Sequence, residues 1–377
     1  MHIVFAAGGT GGHINPAIAI AGTVRSKHPE AKISFIGNRT GMEATLVPKA
    51  GYDFYPIDVA GFQRKLSWTN IKRNVDALYK VFASTAQAGK LLRQLQPDLA
   101  VGTGGYVCGP VLRKAAKMGI KTATHEQNAF PGVTTKMLCK FVDAVMVAMP
   151  QAVSRLPQNR SYTVTGNPVR ESMLHMTRAQ ARKTLGLDDR PMILSCGGSL
   201  GARRINEAVA ELLAWHANSG KYYHFHAIGK YGMDFMPKLL HSKGVDYEHL
   251  PNLRITEYIY DMDLCMAAAD LVINRAGATT LSELQVQGKP SILIPSPNVA
   301  ENHQYYNAKA LADNGAAILI EEKDLTGQVL IEAVQALLEH PERLEQMHRQ
   351  AAAMAVYDAN ERIYQVLMEL LYGKQMD

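Results

Sequence analysis

Glycines and a histidine directly follow the first apolar run of the chain. Residues 2–7 read HIVFAA, and residues 8–13 read Gly-Gly-Thr-Gly-Gly-His. Glycine lets the backbone turn sharply and approach a ligand closely, and the start of the next helix offers free N–H groups to an anion. A histidine at such a helix start tends to be neutral and can accept a proton. We therefore expect a binding turn with His13 as general base; a tight strand-to-helix turn without a ligand is the alternative.

A second glycine turn lies in the other half of the chain. The apolar run MILSC, residues 192–196, precedes Gly-Gly-Ser-Leu-Gly at 197–201 and a helical pattern from about Arg203. The Ser199 hydroxyl and the adjacent amides could hold a diphosphate. Either turn alone is weak evidence, but matching turns in two halves favour one site that both would line.

Small residues open a helix after the apolar run DLVIN at 270–274. The stretch Arg275–Glu283 reads RAGATTLSE, and the amides of Ala278 to Leu281 would point outward as an anion site. Glu283 lies one turn further on, where its carboxylate could accept hydrogen bonds from two hydroxyls of a ribose. An ordinary helix-capping pattern is the alternative.

Three more turns carry polar residues. GTGGYVCGP spans 102–110, HEQNAFPG spans 125–132, and ENHQYYNAKAL spans 301–311. Asn128 and Gln304 are candidate sugar ligands, although Gln304 could instead mark an exposed helix start. His125 and Glu126 could form an ordinary buried polar pair. Asp261 and Asp263 have the D-x-D spacing of metal-using sugar transferases, but their place before a helical run favours an N-terminal cap.

Composition places this chain among soluble globular proteins. It has 377 residues, of which 47% are hydrophobic and 20% charged; this length suits two domains. No apolar run approaches the roughly 18 residues of a membrane span, and we expect no signal peptide. The four scattered cysteines show no C-x-x-C spacing, so we expect a reducing compartment without a disulfide framework or a zinc site.

The net charge of +6 is concentrated in one segment. Residues 61–95 contain seven Lys and Arg against one Asp. Ile71, Val75 and Phe82 recur there at helical spacing beside Lys72 and Arg73, and Trp68 lies near the start of the pattern. A solvated basic face over a core stripe is one interpretation; a patch that lies on anionic lipid is the other. No recognition motif accompanies the charge, so we do not expect nucleic-acid binding.

Short apolar runs alternate with helical patterns through both halves. This alternation predicts an α/β protein with parallel sheets covered on both faces. We predict two doubly wound, Rossmann-like domains, residues 1–165 and 166–355, with a C-terminal helix at about 356–377 packing back on the first. Ligands of such sheets bind beyond the carboxyl ends of the strands, where the glycine turns lie.

Seven motifs in fixed order resemble those of the bacterial MurG family of peptidoglycan glycosyltransferases. They are GGTGGH, GTGGYVCGP, HEQN, TGNPVR, GGSLGAR, RAGATTLSEL and NHQYYNA. The resemblance spans residues 2 to about 311. AFPG after HEQN, and ATTLSEL, look like mild variants of the family pattern.

The resemblance implies a GT-B fold, two Rossmann-like domains facing a cleft. It implies a UDP-N-acetylglucosamine-dependent hexosyltransferase that inverts configuration and needs no bound metal and no cofactor. The acceptor would be the 4-hydroxyl of undecaprenyl-pyrophosphoryl-N-acetylmuramoyl-pentapeptide (lipid I), and the product lipid II, used in peptidoglycan synthesis. The implied donor contacts fall on Thr10, Gly11, Gly12, Asn128, Arg170, Ser199, Ile259 (through its backbone), Ala278, Thr279, Thr280, Leu281, Ser282, Glu283 and Gln304.

The resemblance also places the acceptor near the turns of the first half. Gly104, Gly105, Tyr106 and Glu126 are the candidates there, beside the basic segment described above. Either His13 or Glu126 could be the base. The implied location is the cytoplasmic face of the plasma membrane, as a peripheral protein, and other cell-wall synthesis proteins are open as partners. A UDP-sugar 2-epimerase, a glycolipid glucosyltransferase and a UDP-sugar-binding regulator without turnover are the alternatives.

Overall fold

The computed structural model describes residues 1–59, 83–299 and 302–373. They form two units, one from the described residues of Met1–Glu171 and Asp358–Asp377 and the other from those of Ser172–Tyr357. Each unit is built on one parallel sheet, so the predicted fold class of two Rossmann-like α/β domains is confirmed. Within the described ranges, every helix is too short or too polar to cross a bilayer.

The first unit contains a seven-stranded parallel sheet in the order β3-β2-β1-β4-β5-β6-β7. Its strands are β1 (His2–Ala6), β2 (Lys32–Asn38), β3 (Asp53–Ile57), β4 (Leu99–Gly102), β5 (Lys121–Glu126), β6 (Ala144–Val147) and β7 (Thr163–Val164). Its helices are α1 (Gly11–Lys27), α2 (Glu43–Lys49), α3 (helical over the described residues 83–95), α4 (Cys108–Lys117) and α5 (Val133–Leu138). From β1, the chain first adds β2 and β3 on one side of the sheet and then β4 to β7 on the other side. Doubly wound sheets bind ligands at this switch point between β1 and β4.

Both faces of this sheet are buried. All five residues of β1 are buried; Val4 and Ala6 belong to one hydrophobic cluster, and Ile3 and Phe5 belong to the cluster on the opposite face. This is the pattern of a central parallel strand, whose alternate side chains enter two cores.

The C-terminal helix, Ala359–Tyr372, belongs to the first unit. The Lys27 ammonium lies 2.7 Å from the Glu361 carboxylate, and His28 Nε2 lies 2.8 Å from the Tyr364 hydroxyl. Apolar side chains of this helix, among them Leu367, join the cluster around Ile3 and Phe5. The helix therefore covers the part of the sheet that α1 covers.

The second unit contains a six-stranded parallel sheet in the order β10-β9-β8-β11-β12-β13. Its strands are β8 (Met192–Cys196), β9 (Tyr223–Ala227), β10 (Leu253–Thr256), β11 (Leu271–Asn274), β12 (Ser291–Leu293) and β13 (Ala317–Leu319). Its helices are α6 (Glu171–His175, which begins at the last residue of the first unit before Ser172), α7 (Arg178–Leu185), α8 (Arg203–His216), α9 (Met236–Ser242), α10 (Met262–Ala268), α11 (Ala278–Val286), α12 (His303–Asp313), α13 (Gly327–Leu338) and α14 (Pro341–Ala353). Here the order reverses between β8 and β11, directly before the second glycine turn and the Ala278 helix.

One strand of the first sheet does not have the continuous apolar pattern from which the parallel sheets are predicted. β3 reads DFYPI, and Pro56 interrupts what would be a strand pattern. Proline cannot donate to a sheet ladder, so it is confined mainly to edge strands. β3 does lie at the edge of its sheet, where this residue is tolerated.

Candidate functional site

The first glycine turn joins β1 to α1. Thr10 is the N-cap of α1, with extended backbone (φ −139°), and its carbonyl accepts hydrogen bonds from the amides of His13 (3.0 Å) and Ile14 (3.1 Å). Thr10 and Gly12 are exposed. The first amides of a helix lack intrahelical partners, so this turn presents Gly11 and Gly12 at an accessible helix start.

His13 is half-buried among the turns after β1, β4 and β5. The Thr103 hydroxyl, directly after β4, donates to the His13 carbonyl oxygen at 2.7 Å. His13 Nδ1 lies 3.3 Å from Oε1 of Gln127, which follows β5. The three strands are neighbours in the sheet, and so their carboxyl ends bring the GGTGGH, GTGGYVCGP and HEQN motifs together.

Two glycines allow this close approach. A Cβ at Gly104 (φ +112°) would lie 2.4 Å from His13 Nδ1, and a Cβ at Gly105 (φ +84°) would lie 2.2 Å from the carbonyl oxygen of Gly8. Gly104 therefore packs against the imidazole, and Gly105 packs against the backbone of the first turn. Tyr106, the next residue, is 52% exposed and is available to a ligand.

A buried carboxylate that sequence reasoning missed supports the same turn. Glu43, the first residue of α2, is fully buried and accepts hydrogen bonds from the amides of Gly9 (3.2 Å) and Asn38 (2.8 Å). A Cβ at Gly8 would lie 2.3 Å from its Oε1. The sequence signal was a lone Glu at a helix start, which also fits an ordinary capping role.

Glu126 serves its own loop. It is 3% exposed, and its carboxylate accepts hydrogen bonds from the amides of Asn128 (3.1 Å) and Gly132 (3.0 Å), from the Asn128 side chain (3.2 Å) and from the Thr135 hydroxyl (2.6 Å). A carboxylate engaged by four donors is poorly placed to take a proton from a substrate. Between the two candidate bases, this geometry favours His13.

Burial sets the protonation states of two neighbours of this site. Burial lowers the pKa of His125 to about 4, so its imidazole is neutral at physiological pH. Burial raises the pKa of the Cys108 thiol to about 12; its sulfur accepts from the Gly104 amide at 3.1 Å and donates to the Ala6 carbonyl oxygen at 2.9 Å. Cys108 therefore connects the Gly104 turn to β1 through hydrogen bonds and is not a nucleophile.

The second glycine turn joins β8 to α8. Its Gly201 amide donates to the Gly198 carbonyl oxygen at 2.9 Å, and Ser199 is partly exposed. A Cβ at Gly201 (φ +83°) would lie 2.3 Å from the Ile228 carbonyl oxygen after β9. The turn thus repeats, at the carboxyl end of β8, the close backbone packing seen after β1.

The candidate donor loop lies beside it, after β11. α11 begins at Ala278, one residue after an extended Gly277 (ψ 137°). Ala278 and Leu281 are buried while Thr279, Thr280 and Ser282 are partly exposed, and Glu283 is 9% exposed one turn into the helix. The preceding Arg275 is fixed by the Ile294 (3.2 Å) and Pro295 (3.0 Å) carbonyl oxygens and by Glu322.

The remaining candidates for donor contacts lie outside the two glycine turns and the start of α11. Gln304, near the start of α12, accepts a hydrogen bond from the Ser296 amide at 2.9 Å after β12; β8, β11 and β12 are neighbours. The Ile259 side chain is buried, which leaves its backbone for any ligand contact. Asn128 and Arg170 are half-buried in the first unit.

Asp261, the first residue of the D-x-D pair, forms an ion pair with Arg254. The Asp261 carboxylate is held by both terminal nitrogens of Arg254, at 2.6 and 2.8 Å, and this contact lowers the pKa of Asp261. Across the three described ranges, no three His, Cys, Asp or Glu side chains group in a way that could hold a metal ion. The basic-segment candidates Trp68, Ile71, Lys72, Arg73, Val75 and Phe82 lie outside the described residues.

Comparison with known proteins decides the family. The N-terminal domain model of glycosyltransferase family 28 matches residues 3–147, and the C-terminal domain model matches residues 192–363. A protein of Acetivibrio thermocellus named UDP-N-acetylglucosamine–N-acetylmuramyl-(pentapeptide) pyrophosphoryl-undecaprenol N-acetylglucosamine transferase is 44% identical over 99% of both chains. The crystal structure of Acinetobacter baumannii MurG matches with a TM-score of 0.69 at 30% identity, covering 98% of this chain and 99% of that one. The chain belongs to the MurG family. The resemblance predicted from the seven motifs is confirmed.

More distant structures share the fold of the MurG family. A UDP-N-acetylglucosamine 2-epimerase matches with a TM-score of 0.65 at 14% identity, covering 100% of this chain and 98% of that one. At this identity the likeness shows the fold alone. The full-length identity to the transferase separates the chain from that alternative.

Proposed function

We propose that this protein transfers N-acetylglucosamine from UDP-N-acetylglucosamine to the 4-hydroxyl of lipid I, forming lipid II. The observation that carries the proposal is the 44% identity, over nearly the full length, to a relative named for this reaction. The glycine turns at the carboxyl ends of β1, β4, β8 and β11 are where ligands of such sheets bind. The enzyme is a hexosyltransferase of peptidoglycan synthesis.

The reaction exchanges one bond at the anomeric carbon for another. The acceptor oxygen forms a bond to C1 of N-acetylglucosamine as the bond from C1 to the β-phosphate oxygen of UDP breaks. UDP leaves with the electron pair, and the acceptor proton moves to His13 Nε2. Attack opposite the leaving group inverts the configuration and gives a β-1,4 linkage. General-base catalysis of this kind contributes about 10²–10⁴ in rate.

The donor is held by residues of the second unit. The α11 start and Ser199 bind the diphosphate, Glu283 accepts hydrogen bonds from the ribose hydroxyls, and the Ile259 backbone contacts uracil. Gln304, tied to the Ser296 amide, contacts the sugar. In the first unit, the MurG resemblance assigns donor contacts to Thr10, Gly11, Gly12, Asn128 and Arg170.

Charge on the departing UDP is met by protein groups in this proposal. Helix starts present amides aimed at an anion, and Arg170 adds a permanent positive charge. Preorganised dipoles and cations of this kind stabilise developing negative charge strongly in a site that excludes water. No step therefore requires a bound metal or a cofactor.

The protein works at the cytoplasmic face of the plasma membrane, where a lipid-linked acceptor is embedded. Described residues next to the turns support this location: Val133, Met137 and Phe141 follow at helical spacing along α5 and the turn after it and are 65%, 53% and 41% exposed. The Arg113 guanidinium lies 5.3 Å from the Phe141 ring centre. Exposed apolar residues among cations fit an anionic lipid surface.

Charge along this part of the chain points the same way. Residues 104–142 contain six Lys and Arg against one acid, the buried Glu126. Each Lys or Arg near an anionic membrane contributes about 1 kcal/mol of attraction. We expect Met137→Ser/Phe141→Ser to weaken binding to phosphatidylglycerol vesicles in co-sedimentation, whereas the exposed pair Tyr231→Ser/Met233→Ser leaves it unchanged. Equal binding by both variants would exclude this surface.

The function is tested by sugar transfer. Purified protein is mixed with radiolabelled UDP-N-acetylglucosamine, a short-chain lipid I and excess EDTA. The proposal predicts labelled disaccharide-lipid at a rate that EDTA leaves unchanged. A product that is an epimerised UDP-sugar, or donor binding without any product, would contradict the transferase assignment; loss of product in EDTA would contradict metal independence alone.

A further inference from the structure

Four groups form a continuous hydrogen-bonded chain beneath the first glycine turn. His13 Nδ1 lies 3.3 Å from Gln127 Oε1. Gln127 Nε2 lies 3.1 Å from His125 Nδ1 and donates to the His125 carbonyl oxygen at 2.9 Å. His125 Nε2 lies 3.0 Å from the Gly166 carbonyl oxygen. Gln127 and His125 are 2% and 1% exposed, so the part of the chain beyond the half-buried His13 is shielded from water.

The carbonyl oxygens of His125 and Gly166 determine the direction of each hydrogen bond in this chain. A carbonyl oxygen only accepts hydrogen bonds, so the Gln127 amide nitrogen must be the group that faces the His125 carbonyl. The Gln127 amide oxygen is then the group that faces His13. Because this oxygen also only accepts, His13 Nδ1 must carry a proton.

The contact with the Gly166 carbonyl oxygen likewise determines the tautomer of His125. Its Nε2 lies 3.0 Å from the Gly166 carbonyl oxygen and 3.2 Å from the Thr165 hydroxyl, and that hydroxyl donates to the same carbonyl oxygen at 3.0 Å. His125 Nε2 therefore carries the proton, which leaves Nδ1 to accept from the Gln127 amide. Burial lowers the pKa of His125 to about 4. The imidazole thus stays neutral at physiological pH, and the direction of the chain is maintained.

We propose that Gln127 is a positioning residue that fixes His13 in the Nδ1–H tautomer, so that Nε2 is unprotonated and able to accept the acceptor's proton. The inference rests on the proposed function of His13 as base. In a neutral imidazole one nitrogen is a donor and the other an acceptor, and the partner of one nitrogen decides the state of the other. Without Gln127, nothing in this chain would prevent the proton from occupying Nε2, where a base must be empty.

The surroundings hold the imidazole in this orientation. Gly104 packs on it so closely that a Cβ would lie 2.4 Å from Nδ1, and Thr103 fixes the His13 carbonyl oxygen. The titratable side chains of the surrounding turns are Glu43, Tyr106, Cys108, His125 and Glu126; Tyr106 is exposed, and the other four are hydrogen-bonded within those turns. Substitution at 127 removes the bonds from Gln127 Nε2 to His125 and leaves His125 bound to the Gly166 carbonyl oxygen. The bonds cited for Glu43, Cys108 and Glu126 do not involve Gln127, so a change in the His13 tautomer between variants reports on the Gln127 contact.

The tautomer is measured directly on the wild-type protein. Imidazole-¹⁵N-labelled protein is examined by long-range ¹H–¹⁵N NMR at pH 8, with the His13 signals assigned through His13→Asn. The proposal predicts a protonated Nδ1 and an unprotonated Nε2. A protonated Nε2 in wild type would overturn it, and this reading needs neither substrate nor a variant at position 127.

Kinetics test the consequence for the reaction. Gln127→Met keeps the length of the side chain and removes both the acceptor and the donor. We expect kcat to fall about 10- to 100-fold, the range found when an outer partner that orients a metal-bound histidine is lost, with KM for UDP-N-acetylglucosamine within threefold. The His13 tautomer shifts toward Nε2–H in the same variant.

A matched control separates this effect from lost stability. Thr122→Val removes a buried hydroxyl at the other end of β5, where it bonds Asp143 at 2.9 Å, and it should leave kcat and the His13 tautomer unchanged. Gln127→Met with kcat within threefold of wild type, or with His13 still in the Nδ1–H form, would overturn the proposal. If wild type forms no disaccharide-lipid, the proposed function fails, while the tautomer reading still stands by itself.

Discussion

Gly105→Ala should disable the protein by moving the first glycine turn. The new Cβ would lie 2.2 Å from the Gly8 carbonyl oxygen, whereas ordinary contact is about 3.5 Å, so one backbone must move by about 1 Å. The new Cβ is bonded directly to the backbone and the Gly8 oxygen is a backbone atom, so rotation of a side chain cannot relieve the clash. A misplacement of about 1 Å in a reacting group costs about 100-fold in rate, and we expect that loss in kcat for transfer to lipid I.

Gly119→Ala provides the matched control. Gly119 also has a left-handed backbone (φ +75°), but of the described residues none has an atom within 4 Å of its Cβ beyond its own neighbours. Both variants bear the cost of a left-handed alanine, about 1–2 kcal/mol, visible as a shift in urea midpoint. Only Gly105→Ala should also lose activity. If folded Gly105→Ala transfers sugar within threefold of Gly119→Ala, the close packing of the turns does not position the reacting groups.

Three further predictions concern burial and donor binding. Burial lowers the pKa values of His216, His224 and His226, to about 4 for His216 and His226. As the pH falls, the unfolded chain binds protons at these histidines before the folded chain does, so the free energy of unfolding is full above about pH 6.5 and decreases toward pH 4, by up to about 1.4 kcal/mol per pH unit for each histidine. An unchanged urea midpoint between pH 7 and pH 5 would contradict this. The Cys108 thiol, with its pKa raised to about 12, should stay unmodified by iodoacetamide at pH 8 until urea unfolds the protein. If mass spectrometry finds Cys108 alkylated in the native state, its structural role as a buried, hydrogen-bonded thiol is wrong. Glu283→Gln should raise KM for UDP-N-acetylglucosamine at least tenfold through loss of a charge-assisted hydrogen bond of about 1.5–3 kcal/mol, with KM for lipid I unchanged; a normal donor KM would remove Glu283 from the ribose site.

Much of the architecture followed from local pattern. Central parallel strands are buried on both faces, so runs such as IVFA (3–6) and LVIN (271–274) are continuously apolar and easy to recognise. The glycine turns mark their carboxyl ends. β3 escaped this test because an edge strand is less buried and tolerates Pro56.

The support of the site could not be read in the same way. Gln127 lies inside the HEQN motif and Glu43 at an ordinary helix start, and the local partners of these side chains, His125 and the Asn38 amide, do not reveal which turn each side chain supports. Their contacts run between strands whose neighbours are set by topology: Gln127 reaches His13 across 114 positions, and Glu43 reaches Gly9 across 34. Spacing predicts which residues share a turn, but only the strand order shows which turns meet.

In the proposed reaction, His13 takes the proton of the attacking hydroxyl. The most direct test compares kcat of wild type and His13→Ala for transfer to lipid I, with UDP affinity of both measured by calorimetry. We predict that kcat falls at least about 100-fold, while UDP affinity stays within about threefold because most donor contacts lie in the second unit. A His13→Ala protein that transfers sugar within threefold of the wild-type rate would contradict the claim.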